Sequence, residues 1–168
     1  MLTLVRWIHI LAGITWIGLL YYFNFVQTPA MAEAAADKGG PGGAGISKYV
    51  APRALLWFRM SAAVTWLAGA FYLWYEGWLV GAFTLGFAGA SGVQVTTIGV
   101  GAWLGTIMLF NVWVLIWPNQ KKILGIVSAT DEQKAKARKV AALASRTNTM
   151  LSIPMLLCMA SAAHNLPF

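Results

Sequence analysis

The side chains best suited to chemistry in this sequence are its two histidines, His9 and His164. His9 lies near the start of the first long apolar stretch, and His164 lies just past the end of the last. Neutral imidazole is the commonest metal ligand and the proximal ligand of many haems. An ionisable side chain inside an apolar span is a functional candidate by default. If the chain crosses a membrane an even number of times, both ends emerge on one side. The two imidazoles then fall in the same leaflet, on helices that can be neighbours, which suits axial ligation of a haem. Met155 and Met159, one and two turns into the last stretch, are alternative haem ligands, and an open sixth position is a further arrangement. His9 shares a helix face with Ala12, Gly13 and Trp16, where small residues leave room for a flat macrocycle or for close helix packing. The other reading of His9 is a hydrogen bond to a neighbouring helix.

A second polar group gathers towards the opposite leaflet: Asn24, Arg59, Asn111, Arg146 and Asn148. Arginines near helix ends can snorkel to headgroups. Arg59, Asn111, Arg146 and Asn148 can also form a pocket for an anion or a polar ring, with guanidinium forks as donors. No spare carboxylate lies within the spans, which argues against a pump or transporter. The pattern assigns no catalytic residue.

Four apolar stretches must position these groups. The 168 residues are 59% hydrophobic and 10% charged, with a mean hydropathy of +0.66. Soluble domains carry roughly 25% charged residues, so lipid is the expected solvent. A bilayer core takes about 20 apolar residues as helix, and backbone groups in lipid must be satisfied internally. The expected fold is therefore all-α: a polytopic membrane protein, a four-transmembrane-helix bundle forming one domain over residues 1–168. Its spans are Leu4–Phe25, Ala54–Tyr75, Thr96–Trp117 and Val140–Ala163. The first of these is too long for the ~7–15-residue core of a signal peptide and reads as a membrane helix.

Loop charges set the orientation. Gln27 to Arg53 carries Lys38, Lys48 and Arg53. Pro118 to Lys139 carries Lys121, Lys122, Lys134, Lys136, Arg138 and Lys139, whereas Glu76 to Val95 carries no Lys or Arg. Four spans put both basic loops on one face, the cytoplasmic one by the positive-inside rule. Both termini then face the periplasm of a bacterial inner membrane. The net charge of +7 follows from these loops and does not point to nucleic acid. Residues 77–94 are uncharged and glycine-rich, and read as an interfacial or re-entrant loop rather than a fifth span. Trp7, Trp74 and Trp78 fit an outer aromatic belt, and Trp57, Trp113 and Trp117 an inner one. Thr130 to Gln133 is a capping box before a helix that can run to Ala163 with Pro154 inside it. Gly101 and Gly105 form a GxxxG that permits close helix approach. The one cysteine, Cys158, reads as a packed small hydrophobe, and no CxxCH for covalent haem is present.

Three strings, RWIHILAGITWIGLLYYFNFVQ (Arg6–Gln27), GTIMLFNVWVLIWPNQKKI (Gly105–Ile123) and SRTNTMLSIPMLL (Ser145–Leu157), resemble the membrane-embedded N-terminal domain of the bacterial urate oxidase family, the urate hydroxylases of the PuuD type. Fuller members carry a C-terminal c-type cytochrome domain, so this chain resembles a shortened relative. The first helix is also similar to haem-binding membrane oxidases of the HemJ type. There a histidine on the first helix is thought to ligate haem b, and His9 is the matching position. The resemblances imply an integral membrane redox or electron-transfer subunit with haem b as cofactor, its iron on His9. Its partners would be other membrane subunits or a periplasmic cytochrome. The alternatives are a cofactor-free accessory subunit of a larger membrane complex, and a membrane oxidase acting on urate or a similar anionic ring.

Overall fold

The structure is a computed structural model. It describes the backbone of residues 1–164 and side chains through residue 162. The described residues form helices and turns without strands. Four long helices, α1 (Leu2–Ala36), α2 (Ile46–Tyr75), α4 (Val93–Ile123) and α5 (Asp131–His164), are joined by short loops, and a short helix, α3 (Leu79–Phe83), lies between α2 and α4. Three of them, α1, α2 and α4, are long and apolar enough to cross a membrane.

The helices pair as two hairpins, α1 with α2 and α4 with α5. They share one core, in which Trp16, Ile17 and Leu20 of α1 meet Phe58 and Ala62 of α2. Met108, Val112 and Ile116 of α4 and Ala144 and Met155 of α5 complete it. Two side-chain bonds fix the direction of α5 against α1. Tyr21 pairs with Ser152 (3.0 Å), and Asn24 donates to Ser145 (2.8 Å). Position rises along α1 as it falls along α5, so the two helices are antiparallel. The loops after α1 and α4, which hold or flank the nine loop lysines and arginines, therefore sit at one end of the bundle. The start of α1 and the end of α5 sit at the other.

The helices run well past the expected spans at the basic end. α1 continues to Ala36, α2 already begins at Ile46, and α4 continues to Ile123. Pro29, Pro52 and Pro118 lie within these added stretches. A proline lacks an N–H and presses its ring on the carbonyl four residues back. In each case a widened π-turn precedes the proline, over Tyr22–Gln27, Ile46–Val50 and Asn111–Ile116. The wider turn relieves the clash, and side chains help satisfy the carbonyls nearby. Thr28 donates to Phe23 O (2.7 Å), Arg53 to Tyr49 O (2.7 Å) and Asn119 to Leu115 O (2.7 Å). The capping box forms as expected, with Gln133 N–H on Thr130 Oγ1 (3.2 Å) and Thr130 N–H on Gln133 Oε1 (3.0 Å).

Residues 77–92 do not form a span. At about 1.5 Å per residue, the five residues of α3 cannot cross a ~30 Å apolar core. The segment folds against α4 instead. A Cβ on Gly99 would occupy the place of the Ala82 carbonyl, so only glycine allows the approach. Trp103 donates its indole N–H to Phe83 O (3.1 Å) and stacks edge-on against the Phe83 ring. Of the GxxxG pair, Gly101 faces Cys158 and Met159 of α5, so it serves packing within the chain.

Candidate functional site

His9 lies about two turns into α1 and is half-buried. Its Nδ1 is 2.8 Å from the backbone carbonyl of Thr65 on α2. A carbonyl only accepts, so Nδ1 carries the proton and donates. In the neutral ring the lone pair then lies on Nε2. Nε2 makes no hydrogen bond among the described residues. One turn further along α2, Gly69 makes room for the ring: a Cβ there would lie 2.8 Å from His9 Cε1 and 2.9 Å from Nδ1. The Thr65 hydroxyl is directed elsewhere, to Ser61 O (2.7 Å). The imidazole is thus held in one tautomer with its other nitrogen open, the way metal-ligating histidines are held by a carbonyl partner.

The donor chemistry fits one axial position of a haem. His164 is the last residue of α5, at the same end of the bundle as His9, but its side chain lies outside the described residues. Met155 is buried in the core, and Met159 packs at its edge with its methyl against Gly101. Both belong to the apolar cluster that holds Trp16. Trp16 is seven residues from His9, near the same face, and is 2% exposed. Its indole N–H has no hydrogen-bond partner among the described residues. An unpaired buried donor costs about 1–3 kcal/mol, so α1 carries an open acceptor at His9 and, two turns on, an orphaned donor at Trp16. Among the described residues no group of three or more His, Cys, Asp or Glu is placed to hold an ion. An axial haem ligand needs no such group.

The second polar group is arranged as a helix-to-helix seam. Asn111 donates from Nδ2 to Asn148 Oδ1 (2.8 Å), and Asn148 donates to Met108 O (3.0 Å). Ser152 donates to Thr149 O (2.7 Å) and so accepts from the Tyr21 hydroxyl. Asn148 and Ser152 are fully buried. Arg59 lies apart from this seam, its guanidinium stacked 3.7 Å from the centre of the Trp117 ring. Arg146 is exposed on α5. The two asparagines face each other, and neither arginine hydrogen-bonds to them.

Several of these partners escaped sequence reasoning. The acceptor for His9 is a backbone carbonyl, which has no side-chain signature. Ser145 and Ser152 lie at helical spacing from Asn148, a residue already singled out in the sequence, and that period was the available signal for them.

A family model described as urate oxidase N-terminal matches residues 78–168. The chain belongs to the urate oxidase N-terminal family. The match spans more than half the sequence and takes in α3, the turns after it, α4 and α5. It includes the asparagine pair and two of the three strings that carry the resemblance. His9, Thr65, Gly69 and Arg59 precede the matched region, so the account of His9 rests on the geometry of this chain. No curated protein and no solved structure matches the chain significantly.

Proposed function

We propose that this urate oxidase-like membrane domain is a redox subunit that crosses the bacterial inner membrane four times and holds a b-type haem on Nε2 of His9. The observation that carries the reading is the bond from His9 Nδ1–H to Thr65 O, which orients the ring and leaves Nε2 open. A bound haem would supply one-electron transfer. Thr65 fixes the tautomer, and Gly69 sets the ring's position against α2. His9 then lies near the periplasmic face, within reach of a periplasmic cytochrome or another membrane subunit as electron partner. His164, Met155 or Met159 is the second ligand in this reading.

The test is an absorption spectrum of protein purified from cells supplied with haem precursor. The expected result is a Soret band with a b-type α-band on reduction, extractable because no CxxCH binds it. A colourless preparation overturns the haem reading. It would leave the accessory-subunit reading, in which the same His9–Thr65 bond ties α1 to α2.

A second reading concerns substrate. Arg59, half-buried and stacked on Trp117, presents a planar cation suited to urate or a similar anionic ring. Urate-dependent reduction of the haem band, lost in Arg59→Lys, supports it. Unchanged spectra on adding urate reject it.

A further inference from the structure

We propose that the groove between α1 and α2 at the basic end of the bundle is a binding site for an anionic phospholipid. Ile14, Gly18 and Leu19 form one wall, and Val50, Ala54 and Trp57 the other. Gly18 opens the groove: no heavy atom lies within 4 Å of the place its Cβ would take. The groove is almost wholly apolar along its length and becomes cationic at its mouth. Arg53 lines it there and uses one N–H on Tyr49 O (2.7 Å). Its remaining guanidinium N–H groups are available to a phosphate. Lys48 lies over the Tyr49 ring at 5.3 Å, beside the same mouth. Among the described residues no acidic side chain lines the groove.

The dimensions favour a lipid over a free anion. From Tyr49 to Trp57 the α2 wall runs about 12 Å. A single leaflet of apolar core is roughly 15 Å deep, half of the full core. One acyl chain in the groove therefore brings its phosphate to the level of Arg53. Trp57, 65% exposed, covers the chain from the bilayer side. A basic pocket between helices at the cytoplasmic face is a site for anionic headgroups, and here the helix pair supplies the chain slot as well.

Native mass spectrometry of the full chain with added phosphatidylglycerol or phosphatidylcholine tests this. Phosphatidylglycerol should be retained several-fold better. Arg53→Gln should lower that preference about fivefold, with helix content unchanged by circular dichroism. Gly18→Leu, which fills the groove without touching charge, should reduce retention of both lipids. Lys136→Gln, an exposed charge elsewhere at the same end, should change nothing. Equal retention of the two lipids, or an unaltered preference in Arg53→Gln, overturns the proposal. So does an equal effect of Lys136→Gln, which would mean a general surface attraction. Displacement of phosphatidylglycerol by millimolar inorganic phosphate would reduce the site to a simple anion contact and also overturn it.

Discussion

At the scale of single residues, the histidine in α1 is defined by a carbonyl and a glycine on α2. Gly69 yields a sharper test than removal of the ligand. His9→Ala should abolish haem retention under the proposed function, but it also removes a helix tie. Gly69→Ala keeps every ligand and pushes a methyl into the imidazole. The ring must then shift, so the haem band should weaken or move while the fold persists. An unaltered spectrum in Gly69→Ala would mean that the ring's position against α2 does not matter. The asparagine pair makes a second prediction. Asn148→Leu leaves Asn111 and the Met108 carbonyl without their buried partner and should cost about 1–2 kcal/mol. The double change Asn111→Leu with Asn148→Leu should recover part of that loss, because no donor is then stranded. Thermal unfolding in detergent reads both. Equal loss in the single and double variants would show the cost to be packing alone.

His9 was legible as a functional candidate because a histidine in an apolar stretch is conspicuous. Its tautomer was not, since the Thr65 carbonyl belongs to the backbone. The asparagines were legible as a polar group in an apolar setting, and that signal alone could not separate a seam from a pocket. Hydrogen-bond direction separates them: Asn111 and Asn148 spend donors and acceptors on each other and on Met108. Arg59 was grouped with them by depth, but it stacks on Trp117 instead.

At the scale of elements, apolar length located the helices and left them too short at the basic end. Pro29, Pro52 and Pro118 all lie in the added stretches. The helices pass through each of them by way of a π-turn, which costs one extra residue and no break. Nothing in local propensity announces that solution; it needs neighbouring side-chain donors such as Thr28 and Asn119. The loop before α4 was read more closely, because at 77–94 a fifth span would have left almost no turn. What the sequence did not reveal is how firmly this loop is held. Gly99 lets the Ala82 carbonyl touch α4, so Gly99→Leu should force α3 away and cost about 1–3 kcal/mol by overpacking. A cysteine placed at Leu85 in a Cys158→Ala background should then label faster with a water-soluble maleimide. Labelling at the parental rate would show that Trp103 alone holds the segment.

At the scale of the whole molecule, the antiparallel run of α1 and α5 brings the two basic loops to one end. The helices also project furthest at that end. Nine of the twelve lysines and arginines lie in or beside these extensions. At about 1.5 Å per residue, α1 is roughly 52 Å long, against a ~30 Å apolar core. A helix that long protrudes, and it protrudes where its neighbours carry charge. In the proposed topology, which follows the positive-inside rule, that side is cytoplasmic and both termini are periplasmic. Single cysteines at Gly42 and Ala135, in the Cys158→Ala background, should label only after the inner membrane is breached. A cysteine at Gly89, on the loop that lacks lysine and arginine, should label in intact spheroplasts. Gly42 and Ala135 labelling from opposite faces would contradict the shared end defined by Tyr21–Ser152 and Asn24–Ser145, and with it the four-span topology. Labelling of both from the outside, with Gly89 protected, would keep the bundle and invert it, placing His9 on the cytoplasmic side and removing a periplasmic cytochrome as its electron partner.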